Sequence, residues 1–207
     1  MPRRVISAEF VISGVGPRDF PVDGRPEIAL IGRSNVGKSS LINAMLRKPI
    51  ARTSASPGKT RQANVYRVAA AAGSTFYLVD LPGYGHTSGK EKAREEFAAI
   101  TGSYFATRAD PGGGPPSGVL AGIVLAVDAR HPGMASDVEA VRWASTLGVP
   151  FLVVATKVDK LKQSEKARLK RECEAAFGMS PLAVSSVNGE GLDELWRLMM
   201  TWTGGGQ

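Results

Sequence analysis

Cysteine is almost missing from this chain: Cys173 is the only one in 207 residues. No internal disulfide can form, so a small scaffold held by bridges is excluded. Cys173 lies in a charged, helix-like stretch and reads as an incidental thiol. Long apolar runs are missing too. The longest, 119–127 and 149–155, fall well short of the ~20 residues a membrane helix needs and read as buried strands. Behind Met1-Pro2-Arg3-Arg4-Val5 no apolar signal-peptide core follows. A cytoplasmic protein with no membrane partner is expected. Internal repeats are also missing.

What is present is an ordinary globular composition, 43% hydrophobic and 22% charged, enough for one well-buried core. Charge is unevenly spread over a net +7: residues 1–67 hold 12 Lys/Arg against 4 Asp/Glu, and the remainder 14 against 15. Some of that excess suits a phosphate site. The rest points to a polyanionic partner, RNA above all.

Strand-like and helix-like segments alternate. Strands are expected at 27–31, 62–70, 74–79, 119–127, 150–155 and 182–184. Helices are expected at 39–46, 91–105, 136–147, 164–177 and 191–202. The pair 62–70 and 74–79 reads as a hairpin across Ala71-Ala72-Gly73. The pattern predicts an α/β fold, a three-layer sandwich around a mostly parallel six-stranded sheet with one antiparallel strand. One domain over 1–207 is expected, with 1–25 a partly ordered extension and the Pro/Gly-rich 110–118 a surface loop.

Three motifs carry chemistry. Gly32-Arg33-Ser34-Asn35-Val36-Gly37-Lys38-Ser39 fits G-x-x-x-x-G-K-[ST] in full, between a predicted strand and a predicted helix. Such a loop turns several backbone N–H groups and a helix N-terminus toward a phosphate chain. Lys38 would reach the β- and γ-phosphates and Ser39 would offer its hydroxyl to Mg²⁺. Thr156-Lys157-Val158-Asp159 follows a strand and selects the base. The Asp159 carboxylate can accept from guanine N1–H and the 2-amino group, a donor pair adenine lacks. The stem of Lys157 can lie over the base plane. Asp80-Leu81-Pro82-Gly83 ends an apolar strand, with Asp80 a Mg²⁺ ligand through water and the Gly83 N–H a sensor of the γ-phosphate. Gly58, Lys59, Thr60, Arg61 and Gln62 lie between the first and third motifs. There Thr60 is the candidate second protein ligand of Mg²⁺, released after hydrolysis. Val184, Ser185 and Ser186, after the last strand, sit where guanine O6 could be contacted. The expected ligand is GTP or GDP.

The chain resembles the EngB (YihA/YsxC) family of bacterial GTPases, in the Era-like branch of the P-loop GTPases. The resemblance runs through 26–43, 51–62, Val79 to Gly85, Asp128-Ala129-Arg130-His131 and 156–161. The phosphate loop beginning Gly-Arg-Ser-Asn and the run Asp-Leu-Pro-Gly-Tyr-Gly are close to diagnostic. It implies a monomeric GTPase that acts in assembly of the large ribosomal subunit, on rRNA and ribosomal proteins of that subunit or its precursor. It also implies a requirement for normal septation and cell division. The sequence departs from the family at Gly85-His86-Thr87, at Lys59 where Arg is commoner, and in the 110–118 loop.

Tyr84 stands where many switch GTPases carry a water-orienting glutamine, and slow intrinsic hydrolysis is expected. The missing stabilisation could come from the ribosomal partner. It could also come from K⁺ held by Asn35, which resembles the potassium ligand of related GTPases; the alternative for Asn35 is a turn-former. The catalytic candidates are therefore Lys38, Thr60, Gly83 and Asn35. Arg33 and Arg52 read as partner or loop-structure residues, His131 as a turn residue, and His86 has no assigned role. A second reading is a GTP-dependent RNA- or ribosome-binding module whose hydrolysis is incidental. A nucleotide kinase is disfavoured, because no arginine-rich lid is visible.

Overall fold

The computed structural model describes residues 5–15, 19–52, 62–71, 73–84, 102, 104–105 and 119–204. Seven strands form one sheet: β1 (Val5–Gly14), β2 (Pro26–Gly32), β3 (Ala63–Ala70), β4 (Thr75–Asp80), β5 (Val119–Asp128), β6 (Phe151–Thr156) and β7 (Leu182–Ala183). Their order is β1-β3-β4-β2-β5-β6-β7. Neighbouring strands from β4 through β7 run parallel, and β3 is antiparallel to both β1 and β4. The one reversed strand is the hairpin strand expected from 62–70.

The sheet is one strand wider than the six expected, because β1 forms at its edge. Its pairing with β3 is irregular between Val5 and Ser7 and between Phe10 and Ile12. Those irregularities break the two-residue alternation by which a strand is read from sequence. Glu9 lies opposite Arg67 and forms an ion pair with it. The Ser13 hydroxyl donates to Asn64 Oδ1 at 2.6 Å, and the Phe10 and Tyr66 rings meet edge to face.

Four α-helices among the described residues cover the sheet: α1 (Lys38–Leu46), α2 (Ala135–Ser145), α3 (Gln163–Phe177) and α4 (Leu192–Trp202). Strand alternation sorts the core into two layers. Ile28 and Leu30 of β2 face α1 and α4, packing with Leu41, Ile42, Leu195 and Met199. Ala29 and Ile31 face the other way, toward Val141 and Ala144 of α2 and Leu169 and Phe177 of α3. Cys173 is fully buried in that second layer, where burial lifts its thiol pKa to about 11 and leaves it unreactive. Of the helix expected at 91–105, Gly102, Tyr104 and Phe105 are described; Tyr104 and Phe105 are buried, and Tyr104 stacks edge-on against Phe20. The 110–118 loop lies outside the described residues.

Candidate functional site

The three motifs meet along one edge of the sheet, where β2, β4, β5 and β6 end. Parallel pairing brings this about: β2 pairs with β4 and β5, and β5 pairs with β6, so their C-terminal ends stand side by side.

The phosphate loop leaves β2 at Gly32 and enters α1 at Lys38. Gly37 is the N-cap of α1 at φ 108°, which a side chain would strain. No side chain caps this helix and no acidic residue occupies its first turn, so its N–H groups face outward for an anion. Asn35 is exposed and left-handed at φ 61°, a conformation asparagine tolerates better than most residues. That geometry fits its turn-forming reading. Val36 is buried, and its carbonyl accepts the Thr156 hydroxyl at 2.6 Å.

Lys38 is buried and its ammonium donates to the Gly32 carbonyl at 3.4 Å. Burial pushes its pKa down, against the pull of Asp80. The same burial pushes the Asp80 carboxyl up, opposed by Lys38 and by Ser39, whose hydroxyl donates to Asp80 Oδ2 at 3.4 Å. The other oxygen, Asp80 Oδ1, is buried with no hydrogen-bond partner. An orphaned carboxylate oxygen beside a serine hydroxyl fits a hydrated hard cation such as Mg²⁺.

Leu81 and Pro82 are buried, and the Leu81 N–H donates to the Leu30 carbonyl at 3.1 Å. Gly83 lies against the phosphate loop so closely that a Cβ there would stand 2.6 to 2.8 Å from Ser34 atoms, so only glycine fits. The Ser34 N–H donates to the Tyr84 carbonyl at 3.0 Å. The Tyr84 ring is buried and its hydroxyl donates to Asp137 Oδ1 at 3.1 Å. Burial and the facing Asp137 raise that phenol far above its usual range, so it remains a neutral donor turned into the core. Tyr84 therefore cannot do the work of a water-orienting glutamine. Arg33 donates through Nε to Asp137 Oδ2 at 3.2 Å, which gives it a loop-structure role.

At the base motif, Lys157 is left-handed at φ 61° and a short 3-10 turn, Val158–Lys160, follows it. The Lys157 ammonium donates to the Asn35 carbonyl at 2.6 Å and to Asp128 Oδ2 at 2.8 Å. Asp159 Oδ1 accepts from the Ser185 hydroxyl at 2.7 Å, and this bond first of all lowers the Asp159 pKa. Ser185 is buried, and its oxygen accepts the N–H groups of Val187 and Asn188 at 3.1 and 3.2 Å. Val184 is buried beside it, with its carbonyl accepting the Val158 N–H at 3.4 Å, and Ser186 is half-buried.

Gln62 is exposed just ahead of β3. Gly58, Lys59, Thr60, Arg61 and His86 lie outside the described residues. The sequence reading gives Asp128, Arg130 and Asp137 no role in the site, although Asp128 and Arg130 lie in a stretch that carries the family resemblance. Asp128 had a readable signal, since it ends an apolar strand as Asp80 does. Burial would raise its pKa, but bonds from Arg130 at 2.9 and 2.7 Å and from Lys157 outweigh it and hold the carboxyl well below the usual range. Asp137 had none: its partners are 104 and 53 residues away.

Known proteins resemble this chain in sequence and in fold. Residues 27–157 match a family model described as a 50S ribosome-binding GTPase. A probable GTP-binding protein EngB from Lactobacillus gasseri is 43% identical over 93% of this chain and 96% of its own. Another, from Chlorobaculum tepidum, is 41% identical over 96% and 98%. This chain belongs to the EngB family of GTPases. A solved structure of a probable EngB has a TM-score of 0.60 at 20% identity, covering 86% of this chain and 98% of that one. Era from Aquifex aeolicus bound to GDP and aluminium fluoride has a TM-score of 0.67 at 20% identity, covering 86% and 57%. At such identities the likeness to both structures is one of fold. The runs Gly-Arg-Ser-Asn and Asp-Leu-Pro-Gly-Tyr, on which the resemblance read from the sequence rests, lock together here through Ser34, Gly83 and Tyr84.

Proposed function

We propose that this EngB-family GTPase is a slow GTP-dependent switch acting in assembly of the large ribosomal subunit, and through it in normal septation and cell division. The observation that carries the nucleotide chemistry is the meeting of a phosphate loop, a buried orphaned carboxylate and a base-selecting Asp159 at one sheet edge. The matching family model is described as ribosome-binding, and an Era neighbour was solved with MgGDPNP and a piece of 16S ribosomal RNA. The first description supports a large-subunit partner, rRNA and ribosomal proteins of that subunit or its precursor; the second, whose RNA belongs to the small subunit, supports only a ribosomal RNA partner for a protein of this fold. No helix among the described residues is long and apolar enough to cross a membrane. A cytoplasmic monomer is the accompanying proposal.

Ser39, Asp80 and Thr60 are the residues proposed to hold Mg²⁺, which when bound would neutralise charge on the β- and γ-phosphate oxygens. Lys38 reaches the same oxygens. The phosphate-loop residues Gly32 to Ser39 cradle the phosphates, and Gly83 reads the third. Thr156, Lys157, Val158 and Asp159, with Val184 to Ser186, hold guanine. Gly58 to Gln62, with Leu81 and Pro82, frame the switch side. Asn35 is the candidate K⁺ ligand, tested by comparing hydrolysis in KCl and NaCl.

The burial of Tyr84 favours keeping a second reading, a GTP-dependent ribosome-binding module whose hydrolysis is incidental. Multiple-turnover GTP hydrolysis with and without large subunits separates the two. Stimulation by the subunit supports the switch; nucleotide-dependent binding without stimulation supports the module.

A further inference from the structure

Asp137 stands on the first turn of α2 with no exposed surface, and it belongs to none of the nucleotide-binding motifs. Two elements of the site converge on it. The Tyr84 hydroxyl donates to Oδ1 at 3.1 Å, and Arg33 Nε donates to Oδ2 at 3.2 Å. Arg33 is the second residue of the phosphate loop, and Tyr84 follows Gly83 directly. A buried ionic bridge of this kind is weak evidence for a role in stability, since well-packed apolar side chains often serve a core equally well. What it supplies here is register between two parts of a site.

The backbone beneath the bridge repeats that register. The Ser34 N–H donates to the Tyr84 carbonyl at 3.0 Å and the Tyr84 N–H to the Gly32 carbonyl at 3.4 Å. Gly83 is pressed onto Ser34 with no room for a Cβ. Its height above the phosphate loop is thus set by Tyr84, and the place of the Tyr84 ring is set by Asp137.

We propose that Asp137 is a positioning residue for the triphosphate state: by tying Tyr84 and Arg33 to α2, it holds the Gly83 N–H where a γ-phosphate would meet it. This rests on the reading of Gly83 as the γ-phosphate sensor. GDP has no γ-phosphate, so loosening the Tyr84 arm of the bridge falls on GTP and spares GDP, whereas the Arg33 arm lies in the phosphate loop and serves both.

The test is calorimetric binding of GDP and of a non-hydrolysable GTP analogue, together with single-turnover GTP hydrolysis, on the full chain. The variants are Asp137→Ala, Asp137→Asn, Tyr84→Phe and, as a reference, Gly83→Ala. Asparagine can accept from Arg33 and donate to the Tyr84 oxygen, so it keeps the bridge. Tyr84→Phe removes one oxygen and keeps the ring in the core, so it carries the test if Asp137→Ala does not fold. Expected is a loss of about ten-fold in analogue affinity for Asp137→Ala and Tyr84→Phe. Hydrolysis should slow alongside, GDP affinity should stay within about two-fold in Tyr84→Phe and fall less than analogue affinity in Asp137→Ala, and Asp137→Asn should regain most of the loss. Equal shifts for both nucleotides, or no shift in Tyr84→Phe, overturn the proposal. If Gly83→Ala alone changes the ratio of analogue to GDP affinity, only the role of Asp137 falls. If Gly83→Ala leaves that ratio unchanged as well, the reading of Gly83 falls with it.

Discussion

The Lys157 ammonium donates to the backbone carbonyl of Asn35 at 2.6 Å, across 122 residues of chain. The base motif is thereby bolted to the phosphate loop, and Asp128 holds the same ammonium from the other side at 2.8 Å. Asp128→Ala should free Lys157 and leave Arg130 without its carboxylate partner. GDP and GTP-analogue affinities should fall together, each by about ten-fold, because the strut serves the phosphate loop in both states. Calorimetry with both nucleotides checks this; an effect confined to GTP would refute it.

Asp159→Asn replaces a carboxylate that accepts twice with an amide that accepts once. GTP and GDP affinity should fall, and xanthine nucleotides should gain relative to guanine ones. The Ser185 hydroxyl can still donate to the amide oxygen, so the fold should tolerate the change. Unchanged GDP binding by the variant would remove Asp159 from the base site.

Thr60→Ala should weaken binding of the GTP analogue with Mg²⁺ much more than binding of GDP, because only the triphosphate state is proposed to use that hydroxyl. Equal losses for the two nucleotides, measured by fluorescence titration, would show that Thr60 is not a metal ligand.

Burial first, opposed by Arg33 and Tyr84, raises the Asp137 pKa to about 6, above the ordinary carboxylate value of about 3.9. A raised carboxyl favours folding most when protonated. Its contribution is therefore full below about pH 4 and is lost as pH rises through about 6, by on the order of 3 kcal/mol. Asp137→Asn cannot titrate. Urea unfolding from about pH 4 to about pH 7.5 should show wild type losing stability relative to Asp137→Asn as pH rises. A constant difference between the two proteins would contradict the raised pKa.

Binding to large ribosomal subunits should be tighter for the GTP-analogue form and should weaken as KCl rises, with small subunits binding less. The contribution of α3 should be small, since Lys166 pairs with Glu190 at 2.7 Å, Arg168 with Glu172 at 2.9 Å and Lys170 with Glu174 at 3.8 Å. In the N-terminal third, Arg25, Arg33 and Arg67 are also paired, with Asp23, Asp137 and Glu9. Cosedimentation across a salt series in both nucleotide states measures the rest. Binding indifferent to nucleotide and salt would defeat the switch.

The sequence by itself determined the phosphate loop, the base motif, Asp80 with Gly83, and the alternating α/β architecture. Each is a local pattern: glycines where the backbone must turn or approach closely, a carboxylate at the end of an apolar strand, apolar residues at the period of a strand or helix. Only the tertiary structure decided the rest. It added β1 to the sheet edge, because irregular pairing with β3 hides a strand from any two-residue pattern. It turned Tyr84 into the core and gave Arg33 a partner, because both depend on where α2 sets Asp137. It also joined Lys157 to Asn35 and Asp128. Spacing along the chain carries no information about such contacts, because parallel strands with long crossovers bring their ends together only once the sheet has formed.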